Sequence, residues 1–302
     1  MACNKLREIS KEKNKKPFHM RVDFWGPHEP YFPSREFAEL YNPKEIPEIP
    51  SFHDDLKNKP TFYKKDMSKI LSKNNDLIIP NPLPWSEWQK VLALNYGEQS
   101  LIDAAGGLIL DTLKELNMEE ETIVIWASDH GDALACHGGH FDKDSYMPQE
   151  MLRVPLAIRY PKIIPQGKKS TALVSNVDYA PTFLEFAGTK FDNSIEGKSL
   201  VPLLTQDDVP WRDDLFIETH GHFTTIVSRS IIFDQYKYTW NEGYMDELYD
   251  LKEDPFELKN LVYDKTYTNI LKEMKNRLNK WRENLNDNIT MIMINGKKLK
   301  RS

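Results

Sequence analysis

Between Trp85 and Met118 apolar side chains return at every third or fourth position: Val91, Leu94, Ile102, Ala105, Ile109, Leu113 and Leu116. That spacing lines one face of a helix, so the stretch predicts a single long helix with a weak point at Gly106-Gly107. The pattern then changes. Thr122 to Ala127, TIVIWA, is a short continuous apolar run, which predicts a central strand of a parallel sheet, buried on both faces. VPLAIRY, from Val154 to Tyr160, predicts the next such strand. VDYAPTFLEFAG, from Val177 to Gly188, predicts a helix with Asp178 near its start and Gly188 past its end. Nearer the N-terminus, Phe18, Met20, Val22 and Phe24 alternate with His19, Arg21 and Asp23, which predicts a strand with one buried face.

Residues 42 to 84 are dense in proline and polar groups and read as a long irregular excursion over a surface. After about Pro202 the texture shifts to short β-rich runs with turns, which predicts a small antiparallel sheet. EDPFELKNL then looks like the opening of a final helix, with Asp254 as N-cap, Pro255 at the first helical position and Glu257 closing a capping box. Helices alternating with strands predict an α/β fold with a mainly parallel sheet flanked by helices. The expected organisation is an α/β domain over residues 1–205 and a C-terminal subdomain of antiparallel strands plus a terminal helix over 206–302.

Composition narrows the function. The chain has 302 residues, 40% hydrophobic and 28% charged, ample for a sizeable core and too ordinary for global disorder. The net charge is −6, and the basic residues cluster only at Lys297, Lys298, Lys300 and Arg301, so nucleic acid is not an expected partner. No apolar run reaches membrane-spanning length, and the first residues, MACNKLREISKEKNKK, hold no apolar signal-peptide core. Two cysteines far apart, Cys3 and Cys136, suit a reducing compartment, so a cytoplasmic location is expected.

The chemistry concentrates in ASDHGDALACHGGHFDK, Ala127 to Lys143. Sheets of this class bind ligands beyond the carboxyl ends of their strands, and Asp129, His130 and Gly131 follow TIVIWA at once. A carboxylate and an imidazole together can ligate a divalent cation. The oxygen favours Ca²⁺ or Mg²⁺, and the nitrogen shifts the balance toward Zn²⁺ or Mn²⁺. Taken alone, such a pair is more often a capped turn. Cys136 beside His137 suggests a thiol nucleophile, but neighbours in sequence do not have the geometry that chemistry needs. His137 and His140 stay undecided between site and solvated loop.

SDHGDALACHGGHFDK, then EMLRVPLAIRYP, LVSNVDYAPTFLEFAG, IEGKSLVPLL and ELYDLKEDPFELKNL, resemble the middle and C-terminal parts of the sulfatase family, within the alkaline phosphatase superfamily. KPFHMRVDFWGPHEPYFP resembles the family's PH segment, so the likeness runs from about Lys16 to about Leu261. The resemblance implies an alkaline-phosphatase-like fold and hydrolysis of a sulfate monoester, on a sulfated sugar or an aryl sulfate. It implies Asp129 and His130 as ligands of a divalent metal, usually Ca²⁺. It implies Lys143 as a contact to the sulfate group and His28 as the group beside the leaving oxygen. His220 and His222 in ETHGH fall in the part that often borders the substrate pocket, and are candidate substrate contacts.

The chain also departs from the family. Sulfatases carry a nucleophile in C/S-x-P/A-x-R, and neither Cys3 (followed by NKLR) nor Cys136 (followed by HGGH) fits it. In FPSR, Tyr31 holds the nucleophile's place. Asp54-Asp55 lies after the PH element rather than before it, so the family's metal-binding Asp pair is not carried over. The expectation is a C-terminal portion of a sulfatase, N-terminally incomplete. It would depend on a separate N-terminal fragment or be poorly soluble. Two alternatives stand beside it: hydrolysis of a phosphonate monoester or phosphodiester, and a non-catalytic truncated product.

Overall fold

The computed structural model describes residues 1–13, 16–66, 83–143, 146–222 and 225–288. In chain order its helices are α1 (Ala2–Ser10), α2 (Arg35–Ala38), α3 (Thr61–Asp66), α4 (Trp85–Glu115), α5 (Cys136–Gly139), α6 (Gln149–Leu152), α7 (Tyr179–Phe186), α8 (Val201–Thr205) and α9 (Thr268–Asn284). Its strands are β1 (Val124–Ala127), β2 (Leu156–Arg159), β3 (Asp214–Thr219), β4 (Ser228–Phe233), β5 (Tyr236–Asn241) and β6 (Glu247–Asp250). The chain divides into two compact units. The first holds Met1–Glu48, Leu71–Trp126 and Leu156–Gln166; the second holds Ile49–Ile70, Ala127–Pro155 and Gly167–Ser302.

The first unit is organised by α4. Apolar spacing makes the helix, and Asn117, at φ 54°, ends it: the Met118 N–H turns back to the Leu113 carbonyl at 2.8 Å. α1 and α2 pack against α4, burying Leu6, Trp88, Val91 and Leu92. The helix runs unbroken through its expected weak point at Gly106-Gly107. A Cβ at Gly106 would sit 2.6 Å from the Trp126 ring, so this glycine lets β1 come close to α4.

Two strand expectations need correction. Residues 18–24 form no sheet strand; Phe18 and Val22 are each 38% exposed. Alternation supplies a face, but a strand also needs a hydrogen-bonding neighbour, and none of the described residues provides one. β1 forms as expected, but it is not buried on both faces. Among the described residues it pairs with β2 alone, and Trp126 remains 39% exposed.

The second unit contains the antiparallel sheet β3-β4-β5-β6, a simple meander with Ile231 opposite both Phe216 and Tyr238. α9 lies on β3, β4 and β5, burying Met274 and Leu278 with Ile231, Tyr238 and Leu248. α7 begins where Asp178 suggested. Ser175 and Asp178 form a capping box around the short 3₁₀ turn before it, and the buried Asp178 carboxylate takes a bidentate bond from Arg212 at 2.7 and 2.6 Å.

Part of the excursion is ordered: α3 contributes Phe62 and Tyr63 to a core with Leu56, Ala133, Tyr146, Met151 and Ile226. The remainder of that stretch, 67–82, lies outside the described residues. The helix expected at Asp254 is absent. Residues 251–260 are turns, Glu257 sits at φ 53°, and the last helix begins at Thr268. The Glu257 carboxylate accepts from the Gln149 N–H at 2.8 Å and pairs with Lys237. Those long-range partners hold Glu257 away from the cap.

Candidate active site

Asp129 and His130 lie just past β1, as the strand-end argument required. The His130 N–H donates to Asp129 Oδ1 at 3.0 Å, and the Asn176 amide holds the Asp129 carbonyl at 3.0 Å. His130 Nδ1 donates to the Gly131 carbonyl at 2.8 Å, which fixes the ring and leaves Nε2 with its lone pair outward. Nε2 is 3.7 Å from Asp129 Oδ2. Both atoms can reach one ion through bonds of about 2.1 and about 2.4 Å. The pair therefore fits part of a coordination shell with one nitrogen and one oxygen. Among the described residues, no third His, Cys, Asp or Glu atom joins these two in a cluster.

Gly131 sets the path of this segment. Its N–H donates to the Met151 carbonyl at 2.9 Å, and a Cβ there would lie 1.7 Å from the Glu150 carbonyl oxygen. No side chain fits that gap without moving backbone.

The other candidates divide between the units. Lys143, half-buried in the second unit, pairs with Asp142 at 3.3 Å. His220, also there, accepts from Arg229 Nη2 at 3.0 Å, so Nε2 is committed and Nδ1 is left for a ligand. His222 is exposed. His28 belongs to the first unit. Its Nδ1 donates to the Glu29 carbonyl at 2.7 Å and lies 3.3 Å from the Glu29 carboxylate. The two contacts through Nδ1 fix the orientation of the ring.

The Ala127–Lys143 segment also builds something the sequence did not suggest. His137 is buried, with Nδ1 3.3 Å from Asp54 and Nε2 3.3 Å from Glu150. Burial alone would lower its pKa, but the two carboxylates outweigh that and raise it above the ordinary 6.5. His140 is buried against the His137 and Tyr63 carbonyls, and burial pushes it down to about 4. Neither is a solvated loop histidine. Burial, with Glu150 nearby, also raises the Cys136 thiol, which removes it as a nucleophile.

His137, Glu150 and Glu257 bring three ligand atoms within 4.8 Å of one another, and could be taken for a metal site. Lysines already serve as the cations. Lys237 pairs with Glu257, each side chain 1% exposed, and Lys59 lies 3.8 Å from Asp54. The nearest sequence signal was Asp54-Asp55, which had the wrong position for the family's Asp pair; Asp54 instead serves this internal network.

A family model described as Sulfatase matches residues 3–189, well over half of the chain. The chain belongs to the sulfatase family. A second model, described as N-sulphoglucosamine sulphohydrolase, C-terminal, matches residues 136–284 of this sulfatase-family chain. It is 33% identical over 201 residues to an N-acetylglucosamine-6-O-sulfatase of Bacteroides thetaiotaomicron, covering 62% of this chain and 35% of the relative. It is 30% identical over 257 residues to an arylsulfatase of Clostridium perfringens, covering 83% of this chain and 50% of the relative. It thus spans half or less of the length of these two relatives.

A solved structure described as a complex with its substrate D-glucosamine-2-N,6-O-disulfate superposes with TM-score 0.81 at 25% identity, over 95% of this chain and 69% of that one. A phosphonate monoester hydrolase of Agrobacterium radiobacter superposes with TM-score 0.82 at 23% identity, covering 94% of this chain and 60% of that one, which establishes the shared fold. The fold is the alkaline-phosphatase-like one, with the antiparallel C-terminal sheet and helix expected from the sequence. The family uses a divalent metal, and the Asp129–His130 pair has the donor types to bind one. Among the described residues no helix is long and apolar enough to cross a membrane.

Proposed function

We propose that this chain carries the metal-binding and sulfate-binding residues of a sulfuric ester hydrolase acting on a sulfated sugar. The observation that carries the reading is the Asp129–His130 pair, with Nε2 freed by the Gly131 carbonyl and the carboxylate beside it. The two would hold a divalent cation, Ca²⁺ by the family's habit, and such an ion, when bound, neutralises charge on the sulfate oxygens. Lys143 would hold a non-bridging oxygen with its ammonium. His28 would donate its Nε2 proton to the bridging oxygen as the S–O bond breaks and regain one from water; Glu29 holds its other nitrogen. His220 and His222 would contact the sugar.

The nucleophile motif is not in this sequence, so the residues present are assigned to binding and leaving-group protonation. The free thiols Cys3 and Cys136 support a reducing, cytoplasmic setting. Sulfated sugar is preferred over aryl sulfate because, of the two relatives named above, the N-acetylglucosamine-6-O-sulfatase has the higher identity, 33% against 30%.

Calorimetric titration with Ca²⁺ and Mn²⁺ tests the metal half. Saturable binding that Asp129→Ala and His130→Ala each abolish is expected, and binding that survives both changes would sink the assignment. Turnover of an N,6-O-disulfated glucosamine against an aryl phosphate diester, measured with the family's nucleophile segment supplied, tests the substrate. Faster diester turnover would move the reading to phosphodiester hydrolysis.

A further inference from the structure

The second unit has a groove of about 350 Å³ between α9 and the β5–β6 hairpin, away in sequence from every candidate residue above. One wall is aromatic, from Tyr238 and Trp240 on β5 and Tyr244 in the turn. The other wall is a face of α9. Lys275, Leu278, Asn279 and Arg282 follow the three- and four-residue spacing that lines one side of a helix. Leu278 belongs to the core, so the wall's polar edge is Lys275, Asn279 and Arg282.

A gap between a helix and a hairpin is common and often has no ligand. This one differs in how its cations are held. Arg282 lies over the Trp240 ring at 4.3 Å from the centroid, and Lys275 over Tyr238 at 5.5 Å. Arg282 gives its Nε–H to Asp287 at 3.0 Å, but among the described residues its terminal NH₂ groups donate to no protein acceptor. Lys275 shares Asp246 at 3.2 Å with the Tyr238 hydroxyl, at 2.7 Å. Asp287 is already held by Arg229 at 2.7 and 2.9 Å, and the lining itself has two cations, Lys275 and Arg282, against one carboxylate, Asp246. Asn279 is exposed, with its amide open to a ligand.

The Tyr238 and Trp240 rings lie under these cations and hold them in place, an amide suits the hydroxyls of a pyranose, and a ring-stacked guanidinium with unspent N–H groups suits a sulfate. Lys275 and Arg282 are seven residues apart, so about 10 Å separates them along the helix axis. One sugar ring does not bridge that distance. We propose that this groove is a secondary site for a sulfated oligosaccharide, holding a sulfate at each end and a sugar ring between them beside Asn279. The choice of a sulfated ligand rests on the function proposed above, but the binding itself requires no turnover. Such a site would keep a polymeric substrate on the enzyme between cleavage events.

The test uses the full chain carrying Lys143→Ala, so that the candidate active site contributes little. The probes are a heparin-derived tetrasaccharide, its desulfated form and inorganic sulfate, followed by calorimetry. Saturable binding of the sulfated tetrasaccharide is expected. Adding Lys275→Ala with Asn279→Ala should weaken it about tenfold, the loss of two polar contacts. Both residues are exposed on α9, and an unchanged circular dichroism melt would confirm the fold. Desulfated saccharide should bind at least about tenfold more weakly. The proposal is overturned if the tetrasaccharide does not bind, if the double substitution leaves binding unchanged, or if inorganic sulfate or desulfated saccharide binds as well. Turnover that fails with Lys143 intact while groove binding persists in the Lys143→Ala chain would remove the proposed function alone. Groove binding that fails in the Lys143→Ala chain while turnover persists with Lys143 intact would remove this proposal alone.

Discussion

Helices α4 and α9 are the longest in their units, and they treat apolar surface in opposite ways. α9 places Met274 and Leu278 against the meander and lays Lys275, Arg277 and Arg282 over its aromatic rings. α4 is apolar around much of its circumference. It buries Trp88, Val91 and Leu92, yet Leu108 remains 64% exposed and Leu110 45% exposed. A helix apolar on several faces is ordinarily enclosed. The ion pairs contrast too. In the first unit Arg7–Glu115 and Arg159–Glu119 lie in solvent. In the second, Lys237–Glu257 and Arg229–Asp287 are sealed inside. The second unit satisfies its own chemistry; the first presents surface for something to cover.

The largest effect should come from breaking an internal pair. Lys237→Ala leaves the Glu257 carboxylate buried without its cation, and should cost about 3–5 kcal/mol in urea unfolding. The double change Lys237→Met with Glu257→Gln should recover most of that. A loss as small as that of Arg7→Ala, whose pair is exposed, would erase the contrast between the units.

The next effect is pH-dependent. His137 is raised above 6.5, so its charged form stabilises the second unit below pH 6.5, and that contribution fades as pH climbs through the raised value. Asp54 and Glu150 are buried, which would raise them, but bonding to His137 leaves both lowered. Their contribution is present above the ordinary 3.8 and 4.5 and is lost only in more acidic solution. The urea midpoint should therefore fall as pH rises above 6.5, and His137→Gln should flatten that slope. An equal slope in both proteins would place the titrating group elsewhere.

The smallest effect on stability belongs to α4. Leu108→Gln with Leu110→Gln should change unfolding free energy by no more than about 0.5 kcal/mol, as surface changes do. Binding of the dye 8-anilinonaphthalene-1-sulfonate should drop in parallel. Strong destabilisation would mean that these leucines are core residues.

What the sequence made legible followed from local physics. The period of α4, the apolar run of β1 and the cap before α7 are all written in adjacent residues. The placement of Asp129 and His130 after β1 was readable for the same reason. The failures came where distant partners decided. Residues 18–24 have the alternation of a strand and lack a neighbour to pair with. Glu257 has the spacing of a capping box, but Gln149 and Lys237 claim its carboxylate. His137 is ambiguous in the sequence because Asp54, 83 residues earlier, becomes its partner only when the chain folds.

Gly131 carries a consequence for how this sequence can drift. With a carbonyl oxygen 1.7 Å from where a Cβ would be, a library randomised at that codon and selected for folding should return glycine alone. At Gly107, in the middle of α4, nothing lies within 4 Å, and the same experiment should return most residues. Two glycines only 24 positions apart thus have opposite freedoms, and the constrained one holds the turn directly after His130 in place.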